Sequence, residues 1–467
     1  MTDPFPGGSS CKTSGIRKNT AKLERIGAYM LKAPRKTGLV FFPAFDWAIS
    51  ATHPEREERL LYTQDQVLEE GLFDIAGISE FKAEIVDIKD VQRVHFSYPD
   101  AWRVMTESHF ISAGGAKTIA NAVMDRSVDN GFALVRPPGH HAMRVVHGGR
   151  GFCNVNNEAI MVEHLRQKHG VGRVAIVDTD CHHGDGTQDI YWHDPDTLYI
   201  SLHQDGRTIF PGSGFTQELG GPTAAGTTLN IPLPPYTGEQ GFLHALNEVV
   251  LPVLEEFQPE IIINSAGQDN HFSDPLTNML FTAKGYADLT SLLKPDIVVL
   301  EGGYSIEGAL PYVNIGIILA LAGLDYSHVI EPGYDHEKLK QTDNVTRTVE
   351  QTCETVLASW KQRESLGERM RGNQEYAERR RNVFYDTDGI YETQKETLRI
   401  CPDCSGAVKI DSSSDRGGHL LAIHIPRKAC SQCHNLAYRW YESAKSSSYD
   451  MICIQDRIAD SYLVKTP

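Results

Sequence analysis

Between residues 38 and 324 short apolar, β-branched runs alternate with amphipathic stretches. The runs are GLVFF (38–42), FALV (132–135), VAIV (174–177), TLYISL (197–202), EIIIN (260–264) and DIVVL (296–300). Helical spacing occupies 115–128, 158–169, 239–257 and 283–293. Runs without polar alternation read as strands buried on both faces, and strands separated by helices pair in parallel. The pattern predicts an α/β fold with a doubly wound parallel sheet.

Four of the runs end in chemistry. FALV leads into RPPGHHA, VAIV into DTDCHHGDG, EIIIN into SAGQDNHFSDP, and DIVVL into EGGYS. In an open parallel sheet the ligand crevice lies at the carboxyl ends of the strands, so these clusters are expected to converge. In extended chain alternate side chains share a face, which sets Asp178, Asp180 and His182 on one side and Thr179 and Cys181 on the other. Two carboxylates and an imidazole make the core of a metal site. A catalytic metal takes about three protein ligands and keeps a position open. The third ligand should come from another strand end, and Asp269 is the best candidate. These donors favour zinc and leave Fe(II), Co(II) and Mn(II) open. Taken singly, a DxD at a strand end is a helix cap and an HH pair is surface decoration. Four such clusters at four strand ends outweigh that explanation.

Past residue 324 the character changes. Residues 344–360 have helical spacing, whereas 361–381 are dense in charge and read as a solvated helix or linker. Cys401, Cys404, Cys430 and Cys433 form two CxxC pairs flanking a strand-like HLLAIHIP, the signature of a closed, structural zinc site of ribbon type. The expected organisation is a disordered leader (1–30), a catalytic α/β domain (31–362), a charged helical linker (363–397), a small four-cysteine zinc ribbon (398–442) and a tail (443–467). Nine cysteines at uneven spacing suit metal binding in a reducing compartment, so the cytoplasm is the expected location. A formal net charge of −16 argues against a general nucleic-acid binder. No apolar run approaches the ~20 residues of a membrane helix. MTDPFPGGSSCKTSG lacks the layout of a signal peptide.

RPPGHHA (136–142), GFCNVNNEAI (151–160), DTDCHHGDGTQ (178–188), FPGSG (210–214), NSAGQDNHFSDPL (264–276) and LEGGYS (300–305), with THPEREERL (52–60), resemble the zinc-dependent histone deacetylase superfamily. That superfamily includes acetylpolyamine amidohydrolases and shares its fold with arginase. The resemblance runs from about residue 38 to 360 and is strongest to the class II and bacterial branch. It implies that Asp180, His182 and Asp269 bind catalytic zinc, and that His140 and His141 flank its water, paired with Asp178 and Asp185. Tyr304 would donate its hydroxyl to the substrate carbonyl. Phe152 and Phe210, beside Gly151, would wall a narrow tunnel. It also implies a potassium ion at Asp178, Asp180, His182, Ser201 and Leu202, and no direct role for His183.

The expected reaction is amide hydrolysis, removing an acyl group from lysine side chains of a protein or peptide. Which histidine is base and which is acid stays open at this level. Two departures bear on the substrate. Gln268 stands where relatives are apolar, and Leu276 stands where a polyamine-preferring branch carries an acid, which tilts the expectation from acetylated polyamines to acyl-lysine. Asp100 loosely matches a rim aspartate that holds the substrate backbone. The ribbon is expected to serve recruitment of a protein partner or assembly of a homo-oligomer. A catalytically silent recognition protein is the rival, but such a chain would be expected to lose a ligand or Tyr304, and it has kept them all.

Overall fold

The computed structural model of the protein describes residues 31–50, 52–99 and 101–467, so the expected leader lies outside the described residues. Its first sheet is wholly parallel. The strands are β1 (Lys32–Phe42), β2 (Ala76–Phe81), β4 (Asn130–Val135), β6 (Val174–Asp178), β7 (Thr197–Gln204), β8 (Thr228–Leu233), β9 (Ile261–Ala266) and β10 (Ile297–Leu300). Two short strands, β3 (Phe96–Ser97) and β5 (Val145–Val146), pair separately. The order across the large sheet is β2-β1-β4-β10-β9-β6-β7-β8. All six apolar runs are strands. The two that escape the pattern are the sheet's edges. β2 (AGISEF) is half exposed, and β8 (TLNIPL) carries Pro232, a residue tolerated at an edge.

Successive residues in these strands enter opposite cores. Leu39, Phe132, Leu134, Ala175 and Val177 face one, while Val40, Ala133, Val135, Val174 and Ile176 face the other. That double burial is why the runs show no polar alternation. Helices form where the spacing puts them, among them Asn157–His169, Ala283–Leu293 and Asp343–Lys361. The first is capped by Asn156, which accepts from the Ala159 amide at 2.8 Å, and is stopped by Gly170 at φ 71°. The 239–257 stretch is interrupted by a π segment, Leu246–Val250.

β4, β10, β9 and β6 are consecutive neighbours in the sheet, and they are the four strands that end in polar clusters. Their ends are level, with Leu300 opposite Ala266 and Asp178 opposite Ser265. The site is therefore built at the middle of the sheet, on strands paired on both sides.

The C-terminal region departs from expectation. Residues 363–397 are not a helical linker. A helix spans only Arg363–Arg371, after which β11 (Tyr376–Tyr385) and β12 (Ile390–Arg399) form a hairpin. They open a second, six-stranded sheet with β13 (Val408–Ser414), β14 (His419–Ile425), β15 (Met451–Asp456) and β16 (Ser461–Lys465). The expected tail thus supplies two strands, and the four cysteines belong to a larger module than a ribbon. The reason lies in what faces inward. Along β12 the buried positions are Glu392, Gln394, Glu396 and Leu398, a period-two pattern written mostly in polar residues. The charged stretch 378–381 is solvated on one face only: Glu378 and Arg380 are exposed, while Arg379 and Arg381 reach Asp189 of the first domain at 3.2 and 2.5 Å.

One face of this sheet, with Leu398, Val408, Ile410, Leu420 and Cys453, packs on Phe96 and Val145 of the first domain. The other face is covered by the helix Ser431–Ser443 and holds the cysteines. Cys401, Cys404, Cys430 and Cys433 bring their sulfurs within 4.8 Å of one another. Cys430 begins that helix, and the Cys433 amide lowers its thiol to about 7, which favours the thiolate that a metal binds. Among the described residues no helix is long and apolar enough to cross a membrane.

Candidate active site

Asp180, His182 and Asp269 converge, with ligand atoms within 4.8 Å of one another. His182 Nδ1 lies 2.8 Å from Asp269 Oδ2 and 3.3 Å from Asp180 Oδ1. The Gly302 amide donates to Asp180 Oδ2 at 2.7 Å, and the Cys181 amide to Asp269 Oδ1 at 2.8 Å. Both carboxylates are fully buried. Burial and the charge of Asp180 push the Asp269 carboxyl up, a strain that a bound cation would relieve. Cys181 turns the opposite way into the apolar core, as alternation requires.

The tandem histidines stand beside this group. His140 Nδ1 lies 3.1 Å from Asp178 Oδ2, and His141 Nδ1 lies 2.8 Å from Asp185 Oδ1. The two pairs are wired differently. Asp178 Oδ2 also accepts from the Tyr199 hydroxyl, a neutral donor, at 2.9 Å. Asp185 Oδ2 accepts from Arg150 Nε and Nη2 at 2.9 and 2.6 Å. Burial pushes His140 down, but Asp180 and Asp178 outweigh it and carry it to about 9. Burial and the neighbouring His140 hold His141 well below its ordinary value.

Tyr304 follows β10 in a loop whose other residues it depends on. Its amide donates to Asp274 Oδ2 at 2.7 Å. Burial raises its phenol well above the ordinary value, so the hydroxyl stays protonated and able to donate. Beneath it, Arg59 donates to the carbonyls of Gly303 (2.8 Å) and Glu301 (2.6 Å) and stacks over the Tyr304 ring at 4.9 Å. Arg59 pairs with Glu55, which also pairs with Arg136 at 2.7 Å, all three fully buried. Glu55→Ala would strand two guanidiniums in the core. We expect a loss of about 3–5 kcal/mol of unfolding free energy, read by urea denaturation.

A cavity of about 300 Å³ reaches this centre, lined by His140, His141, Gly151, Phe152, Asp180, His182, Ile209, Phe210, Leu276, Tyr304 and Asp386 among others. Phe152 sits at φ 68° and meets Tyr304 edge-on at 5.8 Å. Gly151, at φ 51°, has no room for a side chain, because a Cβ there would lie 2.3 Å from the His141 ring. Leu276 is 40% exposed at the mouth. Ser201 and Leu202 lie buried on β7, with Ser201 opposite Asp178. Asp100 lies outside the described residues.

His183 is a satisfied core residue, 2.8 Å from Ser213 Oγ and 3.1 Å from Gln188 Oε1. Gln268 is accommodated by a polar chain, donating to Asn314, which donates to Thr63 Oγ1 at 2.9 Å. Sequence reasoning gave no role to Glu301, whose Oε2 accepts from the amides of Gly139 (2.8 Å) and His140 (3.0 Å). It also missed Arg150 and Asp386. Glu301 lies within LEGGYS and Arg150 immediately precedes GFCNVNNEAI, but nothing in the chain pattern announces that residue 386 meets residue 151.

Residues 100–314 match a family model described as the histone deacetylase domain. A probable deacetylase of Archaeoglobus fulgidus is 44% identical over 324 residues, 63% of this chain and 89% of that protein. A histone deacetylase-like amidohydrolase of Pseudomonas aeruginosa is 37% identical over 246 residues, 51% of this chain and 63% of its own length. The crystal structure of the HDA15 HD domain superposes with a TM-score of 0.61 at 28% identity, covering 72% of this chain and 99% of that one. The family model ends before β11, so Asp386 and the second sheet lie beyond it.

Proposed function

The chain belongs to the histone deacetylase family of deacetylases and amidohydrolases, and from that premise we propose that it is a zinc-dependent lysine deacetylase acting on acylated protein or peptide. The observation that carries the reading is the meeting, inside one narrow cavity, of a three-residue metal-binding group, two histidine–carboxylate pairs and a protonated tyrosine. The fit to zinc rests on the donor set, two buried carboxylates and one imidazole within reach of a single ion. Held by Asp180, His182 and Asp269, the ion would supply Lewis acidity, lowering the pKa of water to about 7 and polarising an amide carbonyl.

The chain's own groups do the rest. His141, kept neutral, accepts the proton of the attacking water at Nε2 while Asp185 fixes its Nδ1 proton. His140, paired through Nδ1 with Asp178, gives a proton to the departing amine from its protonated form. The Tyr304 hydroxyl donates to the oxygen on which negative charge develops. Phe152 and Phe210 exclude water along the alkyl chain. A potassium ion at Asp178, Asp180, His182, Ser201 and Leu202 is part of the same reading, and the four cysteines would hold a structural zinc.

Leu276 at the mouth favours an acyl-lysine substrate, since it offers nothing to a distant ammonium. Asp386 favours a second reading, an acetylated polyamine, because it places a carboxylate at that mouth. The test is acetate release from an acetyl-lysine peptide and from N-acetylputrescine, each with and without a chelator. We expect chelator-sensitive turnover that prefers the peptide. Preference for the diamine would transfer the reading to polyamines, and turnover indifferent to complete metal removal would overturn it.

A further inference from the structure

The turn between β11 and β12 reaches the loop that carries Gly151 and Phe152 and grips three consecutive residues of it. The Gly149 amide donates to Asp388 Oδ2 at 2.6 Å, Arg150 Nη1 donates to the Phe384 carbonyl, and the Gly151 amide donates to Asp386 Oδ1 at 2.9 Å. Tyr385, buried between them, donates its hydroxyl to the Val145 carbonyl at 2.8 Å and packs with Met143 and Val383. The fit is close. A Cβ on Gly148 would stand 2.6 Å from Asp388 Oδ2. The gripped segment ends at Gly151 and runs straight into Phe152, a non-glycine residue at φ 68°, a conformation that persists only where its surroundings enforce it.

Arg150 occupies the centre of this grip. Its guanidinium is spanned between the hairpin carbonyl on one side and Asp185 Oδ2 on the other, and lies over the Phe210 ring at 5.0 Å. Asp185 divides its oxygens, giving Oδ2 to Arg150 and Oδ1 to His141. A carboxylate held on one oxygen by a fixed cation has its other oxygen fixed as well. The His141 ring is then confined by Asp185, by the Gly151 backbone and by Phe210, whose ring meets it at 5.1 Å and 76°. Asp178, the partner of His140, is held instead by the Tyr199 hydroxyl and the Asp180 amide.

We infer that Arg150 is a positioning residue for the His141–Asp185 pair, and that the β11–β12 hairpin of the C-terminal sheet is its brace. The second sheet is thereby a working wall of the active site, and recruitment need not be its purpose. The inference rests on the proposed role of His141, and it also concerns the ring's electrostatics directly. The charged and titratable groups around His141 are His140 (rings 4.1 Å apart), His182 (6.3 Å), Asp185 and, behind it, Arg150. Without the arginine, Asp185 becomes a better proton acceptor and His141 a stronger base, so the ring titrates at higher pH.

The experiment compares full-length wild type, Arg150→Met, Arg150→Lys and the double variant Asp386→Ala/Asp388→Ala. Three quantities are read: the NMR titration of the His141 ring (assigned by its loss in His141→Gln), kcat and KM on the acetyl-lysine peptide, and zinc content. Arg150→Met is expected to raise the ring's titration point, to move the acidic limb of kcat/KM upward with it, and to lower kcat roughly 10–100-fold with KM and zinc unchanged. Arg150→Lys should recover part of both effects. The hairpin double variant should lower kcat in the same way by a smaller factor. An unmoved ring in a folded Arg150→Met protein overturns the positioning role, and an unmoved kcat in the double variant overturns the brace. If wild type cleaves neither substrate yet the ring shifts as described, the functional reading falls and the positioning stands.

Discussion

His141→Ala is expected to lower kcat by about 10²–10⁴-fold, the range assigned to a positioned general base, while leaving both zinc content and KM close to wild type. The separation follows from geometry. His141 lines the cavity yet is not among the three residues whose ligand atoms converge, so its loss removes no metal donor. Asp185 remains ion-paired to Arg150 after the substitution, so the site is not left with an unpaired buried charge. The burial and charges that hold His141 neutral also predict the pH dependence. A base must be unprotonated to act, so wild-type kcat/KM should fall as pH drops through the ring's lowered pKa, and should fall again at high pH where His140 loses the proton it donates. His141→Ala should remove the acidic limb. A variant that keeps near-normal kcat with full metal, or that loses turnover only by losing metal, would mean that the base lies elsewhere.

The site was more legible than the molecule around it. Asp178, Asp180, His182, Asp269, His140, His141 and Tyr304 could be read together because each follows an apolar run, and continuous apolar runs are the plainest record a buried strand leaves. That these four strands are neighbours at the sheet centre is not written in any one run. It followed only from the rule that polar strand ends in an open parallel sheet share a crevice. The second sheet left no such record. β12 buries Glu392, Gln394 and Glu396 against Arg379, Arg381, Tyr385 and Ser412, so its inward face looks solvated to any rule that equates polar with exposed. Arg150 and Asp386 were invisible for another reason. Each acts through a partner more than two hundred residues away, Phe384 and Gly151, and local pattern carries no information about which loops will meet.

Tyr304→Phe separates stabilisation of developing charge from every other role of that loop. Only the hydroxyl is removed. The ring keeps its edge-on contact with Phe152 and its stacking under Arg59, and the backbone amide still donates to Asp274. Substrate binding and the cavity walls should therefore survive, and KM should change little. On the proposed reading, what disappears is a donor to the amide oxygen, which matters more once that oxygen carries negative charge than in the ground state. Loss of one such donor typically costs about 10²–10³-fold in kcat, and that is the expected effect, with metal content intact. The same argument makes Glu55 a counterpart experiment on the same tyrosine. Glu55→Ala should disturb the loop from below, lowering stability and moving kcat and KM together, whereas Tyr304→Phe should lower kcat alone in a protein as stable as wild type. If the two variants gave the same kinetic signature, Tyr304 would be serving the packing of its loop, and the oxyanion donor would have to be sought among the amides that face the cavity.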